Sequence, residues 1–422
     1  MMIRTVEQLE RLLDREDPKL VLWKQKTPSK HSRLDSLSCL YIKLYRGSSG
    51  VESFFIDLSD FVTPKHLVMR NALVFGKKEM INLGFIMYNC YELGYYYDQP
   101  EDPPIYNFYY SKFGKDNCIN DVIPISVHVD AWSGVDIHPG RLWNAINKPT
   151  EDSLVWHDYA PRVFANMEAQ GIGVDREKFL EHFPDKEHLI VEGRVYTHYN
   201  LFTKTGRPSN AFGGINFAAL RKDTGEREAF VPTNGTFVNV DFSSYHIMLL
   251  KGYLGETNVG NPHLEFAKHY YRNRENWEVP ITPEEYEAGK SKTFSYLYGE
   301  LDVVGESISF FRRVKEFART QIHQRYLREG TLSSPSGRRF LYEDELTPNK
   351  TFNYFVQMLE TETNIRYLNE MAYNVKLPVP VLYTYDSFVF DVDPDYVPTV
   401  QSELSKIFHH PFEIKVGKNL AF

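Results

Sequence analysis

The segment TFVNVDFSSYHIMLLKGYLG changes its hydrophobic period within a few residues. Its first part alternates apolar and polar side chains through Asp241, which is typical of a strand. From Tyr245 the apolar residues follow a helical spacing, and Gly255 ends the pattern. The segment therefore predicts a strand that leads directly into a helix, with Asp241 at the end of the strand. An alternative interpretation is that Asp241 or Ser243 only caps the helix.

A second carboxylate lies in the segment PVPVLYTYDSFVFDVDP, which has the pattern of two strands folded back on each other. The pattern predicts strands at 381–384 and 388–392, with Asp386 in the turn at 385–387. Aspartate is common in such turns for conformational reasons alone. Two carboxylates on neighbouring strands can hold a pair of Mg²⁺ ions for in-line phosphoryl transfer, but the sequence leaves open whether Asp241 and Asp386 meet.

Between the two carboxylates, ITPEEYEAGKSKTFSYLYGE carries the start and stop signals of a helix. Thr282 is placed as the N-cap, Glu285 completes a capping box, and Gly299 ends the helix. Three side chains spaced by four share one face of it, namely Lys290, Phe294 and Tyr298. This face could bind a triphosphate and stack on a base. The alternative is an amphipathic helix whose aromatic rings pack into a core while its lysine reaches solvent.

Composition excludes several classes of protein. The 422 residues are enough for two or three domains, and a net charge of −8 gives no overall signature of nucleic-acid binding, so any basic groove must be local. Three widely separated cysteines argue against a disulfide framework or a zinc site and fit a reducing cytoplasm. Because no run of about 18 apolar residues occurs, we expect a soluble, unexported protein that makes no membrane contact.

Taken in order along the chain, these motifs resemble those of the family A, polymerase I-like DNA polymerases. VDFSSYH, KSKTFSYLYG and YDS resemble the family's motifs A, B and C. Further matching segments are MEAQGIGVD at 167–175, TKTGRPSN at 203–210, NPHLEFA around His263, SGRRF at 336–340, NYFVQ at 353–357 and the C-terminal IKVGKNLAF. The resemblance covers roughly residues 155–422. It implies an α+β right-hand fold with an antiparallel palm sheet and helical fingers.

The resemblance also implies a DNA-directed DNA polymerase that adds dNTPs to the 3′-OH of a primer on a DNA template. It implies two Mg²⁺ ions, for which Mn²⁺ can substitute, held by Asp241, Asp386 and the backbone carbonyl of Phe242. Lys290 matches the catalytic lysine that contacts the triphosphate. The other nucleotide-binding positions that it implies are His246, His263, Phe294 and Tyr298. The DNA-binding positions that it implies are Arg207, Arg338, Asn353 and Gln357.

Some positions depart from the family pattern. The motif A glutamate that excludes the ribose 2′-OH is replaced by His246, and motif C is YDS at 385–387 instead of His-Asp-Glu. The arginine expected at the start of motif B falls on Tyr286, so a contact to the γ-phosphate is expected from Arg312, Arg313 or another nearby base. The DSF sequence resembles single-subunit RNA polymerases. A single-subunit RNA polymerase or primase-like enzyme and an inactive polymerase-like scaffold therefore stay open as alternatives.

The resemblance also divides the chain into domains. It predicts a degenerate 3′–5′ exonuclease-like α/β domain at 1–150, a connector and vestigial thumb at 151–200, the first part of the palm at 201–245, the fingers at 246–340 and the second part of the palm at 341–422. Trp23 and Gln25 stand where the exonuclease's metal-binding carboxylates are expected, which predicts no proofreading.

The thumb position is unusually short. Residues 176–202 are all that separates MEAQGIGVD from TKTGRPSN. Because affinity for duplex DNA comes mainly from phosphate contacts, a small thumb predicts low processivity and a protein partner that replaces it. The aromatic stretch at 106–113 is one candidate docking surface. A shortened polymerase of this kind resembles phage enzymes, which implies the cytoplasm of a host.

Overall fold

The computed structural model describes most of the chain after residue 158 and separate elements before it. Residues 159–422 are described apart from 198, 201–202, 211–213, 257–259, 300–304, 306, 341 and 343. The earlier described residues are 3, 5–13, 15, 19–25, 37–45, 51–57, 68–69, 72–76, 96–97 and 155. The predicted boundary near 150 and the aromatic stretch at 106–113 lie outside the described residues.

The chain is a mixture of helices and sheets, as the sequence predicts. The helices are α1 (Val6–Leu13), α2 (Ala160–Glu168), α3 (Arg176–His182), α4 (Tyr245–Tyr253), α5 (Pro262–Tyr271), α6 (Pro283–Tyr298), α7 (Ser309–Phe317), α8 (Gln324–Glu329), α9 (Pro348–Tyr373) and α10 (Val397–Ile407). A π-helical segment, Ala318–His323, joins α7 to α8. None of the helices within the described part of the chain combines the length and the apolar character that a membrane crossing requires.

The strands fall into several sheets. They are β1 (Lys19–Gln25), β2 (Leu37–Tyr45), β3 (Val51–Asp57), β4 (Val68–Met69), β5 (Ala72–Gly76), β6 (Tyr96–Tyr97), β7 (Ile172–Val174), β8 (Arg194–Val195), β9 (Tyr199–Asn200), β10 (Ser209–Asn210), β11 (Phe230–Val231), β12 (Thr236–Phe242), β13 (Leu332–Ser333), β14 (Arg339–Phe340), β15 (Leu382–Thr384), β16 (Ser387–Val392) and β17 (Phe412–Gly417). Near the N-terminus the order is β3-β2-β1-β5, with β5 parallel to β1 and the other pairs antiparallel.

The palm sheet is the four-stranded antiparallel sheet with the order β15-β16-β12-β17. Alternation along β12 gives it two different faces. Val238, Val240 and Phe242 belong to the main apolar core, whereas Asn239 and Asp241 lie on the opposite face. Burying each large apolar side chain contributes about 1.5–3 kcal/mol. Burial of the apolar face therefore fixes the register of the strand and holds Asp241 on the opposite face.

The long helix α9 covers the apolar face of the palm sheet. Thr347 caps its start by accepting a hydrogen bond from the backbone N–H of Lys350, and a proline occupies the first turn. With 26 residues, α9 is about 39 Å long. Its buried side chains, which include Phe355 and Met358, join the same core as β12 and β16. The helix therefore runs beneath the sheet and carries further side chains past the end of the sheet where Asp241 lies.

The fingers region is held together by a close crossing of α5 and α6. A Cβ added to Gly289 of α6 would lie 2.5 Å from the Cβ of Ala267 on α5, so only glycine permits this approach. Around the crossing, an apolar cluster includes Phe266, Leu297 and Phe311. The crossing fixes the rotation of α6 and hence the direction of its Lys290 face.

Two details of the sequence prediction are wrong. The turn of the hairpin contains only Tyr385 and Asp386, because Ser387 already belongs to β16 and pairs with both Thr384 and Asp241. The N-cap of α4 is Ser244, in a left-handed conformation and without a side-chain capping hydrogen bond. Neither Asp241 nor Ser243 therefore caps that helix, and the alternative interpretation of Asp241 fails.

The segment at the thumb position is small. It contains α3, a 3₁₀ helix at Pro184–Leu189 and the short strands β8 and β9. Phe179 of α3 packs with Ile172 and Phe230 in a separate apolar cluster against one end of the palm sheet. The buried apolar side chain of α3, Phe179, is therefore directed to the body of the protein.

Candidate active site

The two predicted carboxylates meet at one end of the palm sheet. In the register of β12 and β16, Asp241 pairs with Ser387, the residue that follows Asp386. The backbone N–H of Phe242 donates a hydrogen bond of 3.1 Å to the carbonyl of Asp386. The sheet therefore places the two aspartates side by side, which the sequence could not show.

The tight turn that presents Asp386 is held by its neighbours. Tyr385 has a φ of 59°, a left-handed conformation that costs a non-glycine residue roughly 1–2 kcal/mol. The buried side chain of Asn364 on α9 donates a hydrogen bond of 2.6 Å to the carbonyl of Tyr385. The guanidinium of Arg207 lies 3.7 Å from the centre of the Tyr385 ring. These two contacts offset the conformational cost and fix the position of Asp386.

The site holds negative charge that basic side chains do not cancel. Desolvation by the surrounding protein, followed by the charge of Asp241, raises the pKa of Asp386 to about 6, although the side chain is open to solvent at the turn. The pKa of Asp241 is also raised, mainly by desolvation, and the charge of Lys415 opposes this. Within the described residues, no salt bridge reaches either aspartate. Two crowded carboxylates without a salt bridge to a described residue are suitable ligands for a divalent cation.

The predicted face of α6 is only partly buried, and Tyr298 at its end packs against the apolar cluster around Phe266. The fully buried residues of the helix are Gly289, Thr293, Tyr296 and Leu297. By contrast, Lys290 is exposed, and Phe294 and Tyr298 are half-buried. Desolvation raises the pKa of Asp241, and the positive charge of Lys290 makes a small contribution in the opposite direction. The predicted capping box of Thr282 and Glu285 is confirmed at the start of the helix.

His263 lies on α5 beside this face. Its ring centre is 5.1 Å from that of Phe294, and the side chain is buried. Burial, followed by the nearby charge of Lys290, lowers its pKa to about 4, so the imidazole is neutral at physiological pH. Both ring nitrogens lack a hydrogen-bond partner among the described residues. Its contact with a phosphate stays a prediction.

Three of the four predicted DNA-binding residues lie together on α9 or against it. Thr205, in the loop that carries Arg207, donates a hydrogen bond of 3.1 Å to the Gln357 side chain. Gln357 in turn donates one of 3.2 Å to Asn353, one helical turn away. This polar row starts next to the Asp386 turn, because Arg207 contacts Tyr385.

The other predicted basic residues lie elsewhere. Arg338 is buried beside the β13–β14 hairpin, with its guanidinium 4.4 Å from the centre of the Phe340 ring. Arg313 forms an ion pair of 2.6 Å with Glu256. The contacts of Arg338 with DNA and of Arg312 or Arg313 with a γ-phosphate stay predictions.

Sequence reasoning missed two side chains of α9, Glu360 and Asn364. Both are buried, and both hold residues of the site. Asn353, Gln357, Glu360 and Asn364 follow a spacing of four, three and four, so they form a polar stripe along one side of the helix. Polar residues at a helical period inside an apolar helix were the signal that could have found them.

A cleft of about 210 Å³ opens beside the carboxylates. Its polar lining includes Asp241, Asp386, Asn239, Lys222, Arg227 and Lys415. The cleft thus combines the acidic pair with cations that could approach an anionic ligand.

Of the comparisons with known proteins, the one with solved structures gives a match. No family model and no curated protein matches the chain. Among solved structures, the chain is similar to the POL domain of Pol1 from M. smegmatis in complex with DNA primer-template and dNTP, with a TM-score of 0.64 and 14% identity over 100% of this chain and 99% of that chain. At this identity the likeness shows the fold alone. The chain therefore has the fold of that POL domain.

Proposed function

We propose that the chain is a template-directed DNA polymerase that adds dNTPs to the 3′-OH of a primer. The observation that carries the proposal is the meeting of Asp241 and Asp386 at one end of the palm sheet, free of salt bridges to described residues. The fold shared with a POL domain solved with primer-template and dNTP supports it. The positive charge of Lys290 on α6, which lowers the pKa of Asp241, supports it further.

Asp241, Asp386 and the backbone carbonyl of Phe242 would hold two Mg²⁺ ions. The crowding that raises the pKa of Asp386 favours a cation between the carboxylates. When bound, such ions supply charge neutralisation at the phosphates and activate the attacking hydroxyl. The residues of the chain position the reactants, which is most of what phosphoryl transfer requires from a protein.

The side chains around the carboxylates divide into two groups. On the nucleotide side, Lys290 contacts the triphosphate, Phe294 lies beneath the sugar and Tyr298 stacks at the insertion site. On the DNA side, Arg207 and Gln357 contact the minor groove near the primer end. The hydrogen-bonded row from Thr205 to Asn353 supports the second group, because it orders the side chains before DNA arrives.

The same proposal extends to the domains and partners. The N-terminal sheet is an exonuclease remnant without proofreading, and the segment at 176–202 is a vestigial thumb. Low processivity and a protein partner that closes the DNA groove follow from this small thumb. The enzyme would act in the cytoplasm, in that of a host if it belongs to a phage.

RNA synthesis is the second candidate function, because His246 stands where the resemblance predicts the glutamate that excludes the 2′-OH. An enzyme of that class would prefer rNTPs or start without a primer. An inactive scaffold is disfavoured, since a scaffold needs neither the aspartate pair nor Lys290.

The test is extension of a labelled primer on a DNA template with Mg²⁺, using dNTPs or rNTPs. Asp241→Ala and Asp386→Ala are compared with Asp395→Ala, which removes an exposed carboxylate that is not part of the candidate site. We expect dNTP extension that the first two substitutions abolish and the third retains. Preference for rNTPs would favour the second candidate, and extension that survives the loss of either aspartate would contradict both.

A further inference from the structure

Glu360 of α9 lies at the centre of a buried network that joins the two sides of the site. Only 1% of its side chain is exposed. Arg207 donates from Nη2 to its Oε1 at 3.1 Å, and the Nε of Arg207 lies 2.9 Å from its Oε2. The Nε2 of His246 lies 3.2 Å from the same Oε1. Glu360 therefore binds one residue of the DNA side and one residue of the nucleotide side.

His246 is fixed at both ring nitrogens. A carboxylate only accepts hydrogen bonds, so Nε2 must carry the proton that bonds to Glu360. The other nitrogen, Nδ1, forms a hydrogen bond with the hydroxyl of Tyr298 on α6. Because the imidazole cannot turn without losing one of these bonds, its ring is held in one orientation beside Tyr298.

The network keeps Glu360 ionised although it is buried. Burial raises its pKa, but the hydrogen bond from His246 and the charge of Arg207 lower the pKa below the ordinary value. A buried carboxylate is costly unless it is paired and hydrogen-bonded, so each of its donors is needed. Loss of Glu360 would leave the guanidinium of Arg207 without its ion pair.

We propose that Glu360 is a positioning residue that supplies the carboxylate missing from motif A, and that its bonds to His246 and Arg207 set selection of the incoming sugar. The inference rests on the proposed function. His246 stands where the resemblance predicts a glutamate, and Glu360 brings a buried carboxylate against the ring of His246 from a different helix. The same ring also forms a hydrogen bond with the hydroxyl of Tyr298.

The same network links sugar selection to the primer side. Arg207 contacts both Glu360 and the ring of Tyr385, the residue before Asp386. Displacement of Glu360 would therefore move both the ring of His246 and the turn that carries Asp386. Both the preference for dNTPs and the KM for the primer would change together.

The test is the ratio of kcat/KM for dNTP to kcat/KM for rNTP in a set of matched variants. Glu360→Gln keeps the shape of the side chain but removes the charge, and we expect the ratio to fall about tenfold, the usual effect of a weakened buried charged bond. His246→Glu places a second carboxylate against Glu360, and we expect a larger loss of activity. Adding Glu360→Ala to His246→Glu removes this repulsion and should restore the ratio, whereas activity should recover only in part because Arg207 still lacks its ion pair with Glu360.

Glu403→Gln is the control. Glu403 is also a mostly buried carboxylate with a lysine partner, but it lies on α10. We expect its sugar ratio to equal that of the wild type. Thermal unfolding of every variant identifies those that fail to fold. If Glu360→Ala fails to fold, the test rests on Glu360→Gln alone.

The outcomes separate the inference from the proposed function. A wild type that extends primers, together with an unchanged ratio in Glu360→Gln, would overturn the inference and leave the function standing. A wild type that incorporates no nucleotide would overturn both. The ratio in Glu360→Gln decides the inference, because relief of repulsion would rescue His246→Glu by Glu360→Ala even if Glu360 had a merely structural role.

Discussion

The end of the palm sheet that carries Asp241 and Asp386 differs from the segment at 176–200 in how its elements are held in place. At the palm end, α9 fixes the hairpin and the loop of Arg207 through Asn364 and Glu360. The described residues of this segment form a seven-residue helix, a 3₁₀ helix and two short strands. Phe179 packs toward the body of the protein, and most of the other residues from 176 to 195 are exposed or half-buried.

This difference suggests that the two regions meet different requirements. The chemistry at a primer end needs a few side chains held within fractions of an ångström, and the core beneath the palm sheet supplies this. Grip on duplex DNA needs many phosphate contacts over a long surface. We therefore expect a site that is intact in its chemistry and weak in its hold on DNA.

The largest expected effect comes from Asp386→Asn. We expect at least about a thousandfold loss of single-turnover extension, because several kcal/mol of metal-dependent charge stabilisation is removed. Stability should change in the opposite direction. Because burial and Asp241 raise the folded-state pKa of Asp386 to about 6, its ionised form opposes folding above that pH. Thermal unfolding without metal at pH 7.5 should therefore give an equal or higher Tm. A lower Tm with unchanged extension would mean that the carboxylate only supports the turn.

Asn364→Ala tests the support beneath the turn. The variant loses hydrogen bonds to the Tyr385 carbonyl and the Tyr383 hydroxyl, and we expect about 1–3 kcal/mol lower free energy of unfolding. A shift of Asp386 by about 1 Å would lower kcat about a hundredfold. Denaturant unfolding and primer extension measure the two effects. Glu370→Ala, at an exposed site on the same helix, is the control and should change neither.

Much of this site could be predicted from the sequence, because its elements carry local signals. The change of period at Asp241 predicted the end of β12 and the start of α4, and the capping box predicted α6. The two strands of the hairpin also followed from the sequence pattern.

The contacts between elements could not be predicted in this way. The register that brings Asp241 to Asp386 depends on two strands far apart in the chain, and no local pattern specifies it. Glu360 and Asn364 were missed for the same reason, since a buried polar residue has meaning only once its partners are known.

Gly289→Ala tests whether the α5–α6 crossing positions the nucleotide side. The new Cβ would lie 2.5 Å from that of Ala267, so the helices must separate. We expect a destabilisation of about 1–3 kcal/mol and a rise of about tenfold in the KM for dNTP, since the face of Lys290 would move. The control is Gly252→Ala on α4, where nothing lies within 4 Å of the added Cβ. An unchanged KM in Gly289→Ala would contradict this role of the crossing.

The smallest effect concerns the first turn of α6. The hydrogen bond from Arg272 lowers the pKa of Glu285 to about 2, so the ionised side chain contributes stability above its unfolded pKa near 4.3. This contribution is lost as the pH falls from about 4.3 toward 2. Glu285→Gln should therefore lower Tm at pH 7, and the difference from the wild type should shrink at pH 3. Glu284→Gln, at the exposed neighbouring position, should show no such pH dependence.

The most direct measurement is primer extension under single-binding conditions, with Mg²⁺, dNTPs and an excess of unlabelled DNA that traps any dissociated enzyme. The account predicts that the wild type adds only a few nucleotides per binding event, and that Asp241→Asn adds none. Long products in the presence of the trap would contradict the contrast between an intact palm and a weak hold on DNA. Extension by Asp241→Asn at the rate of the wild type would contradict the assignment of the active site itself.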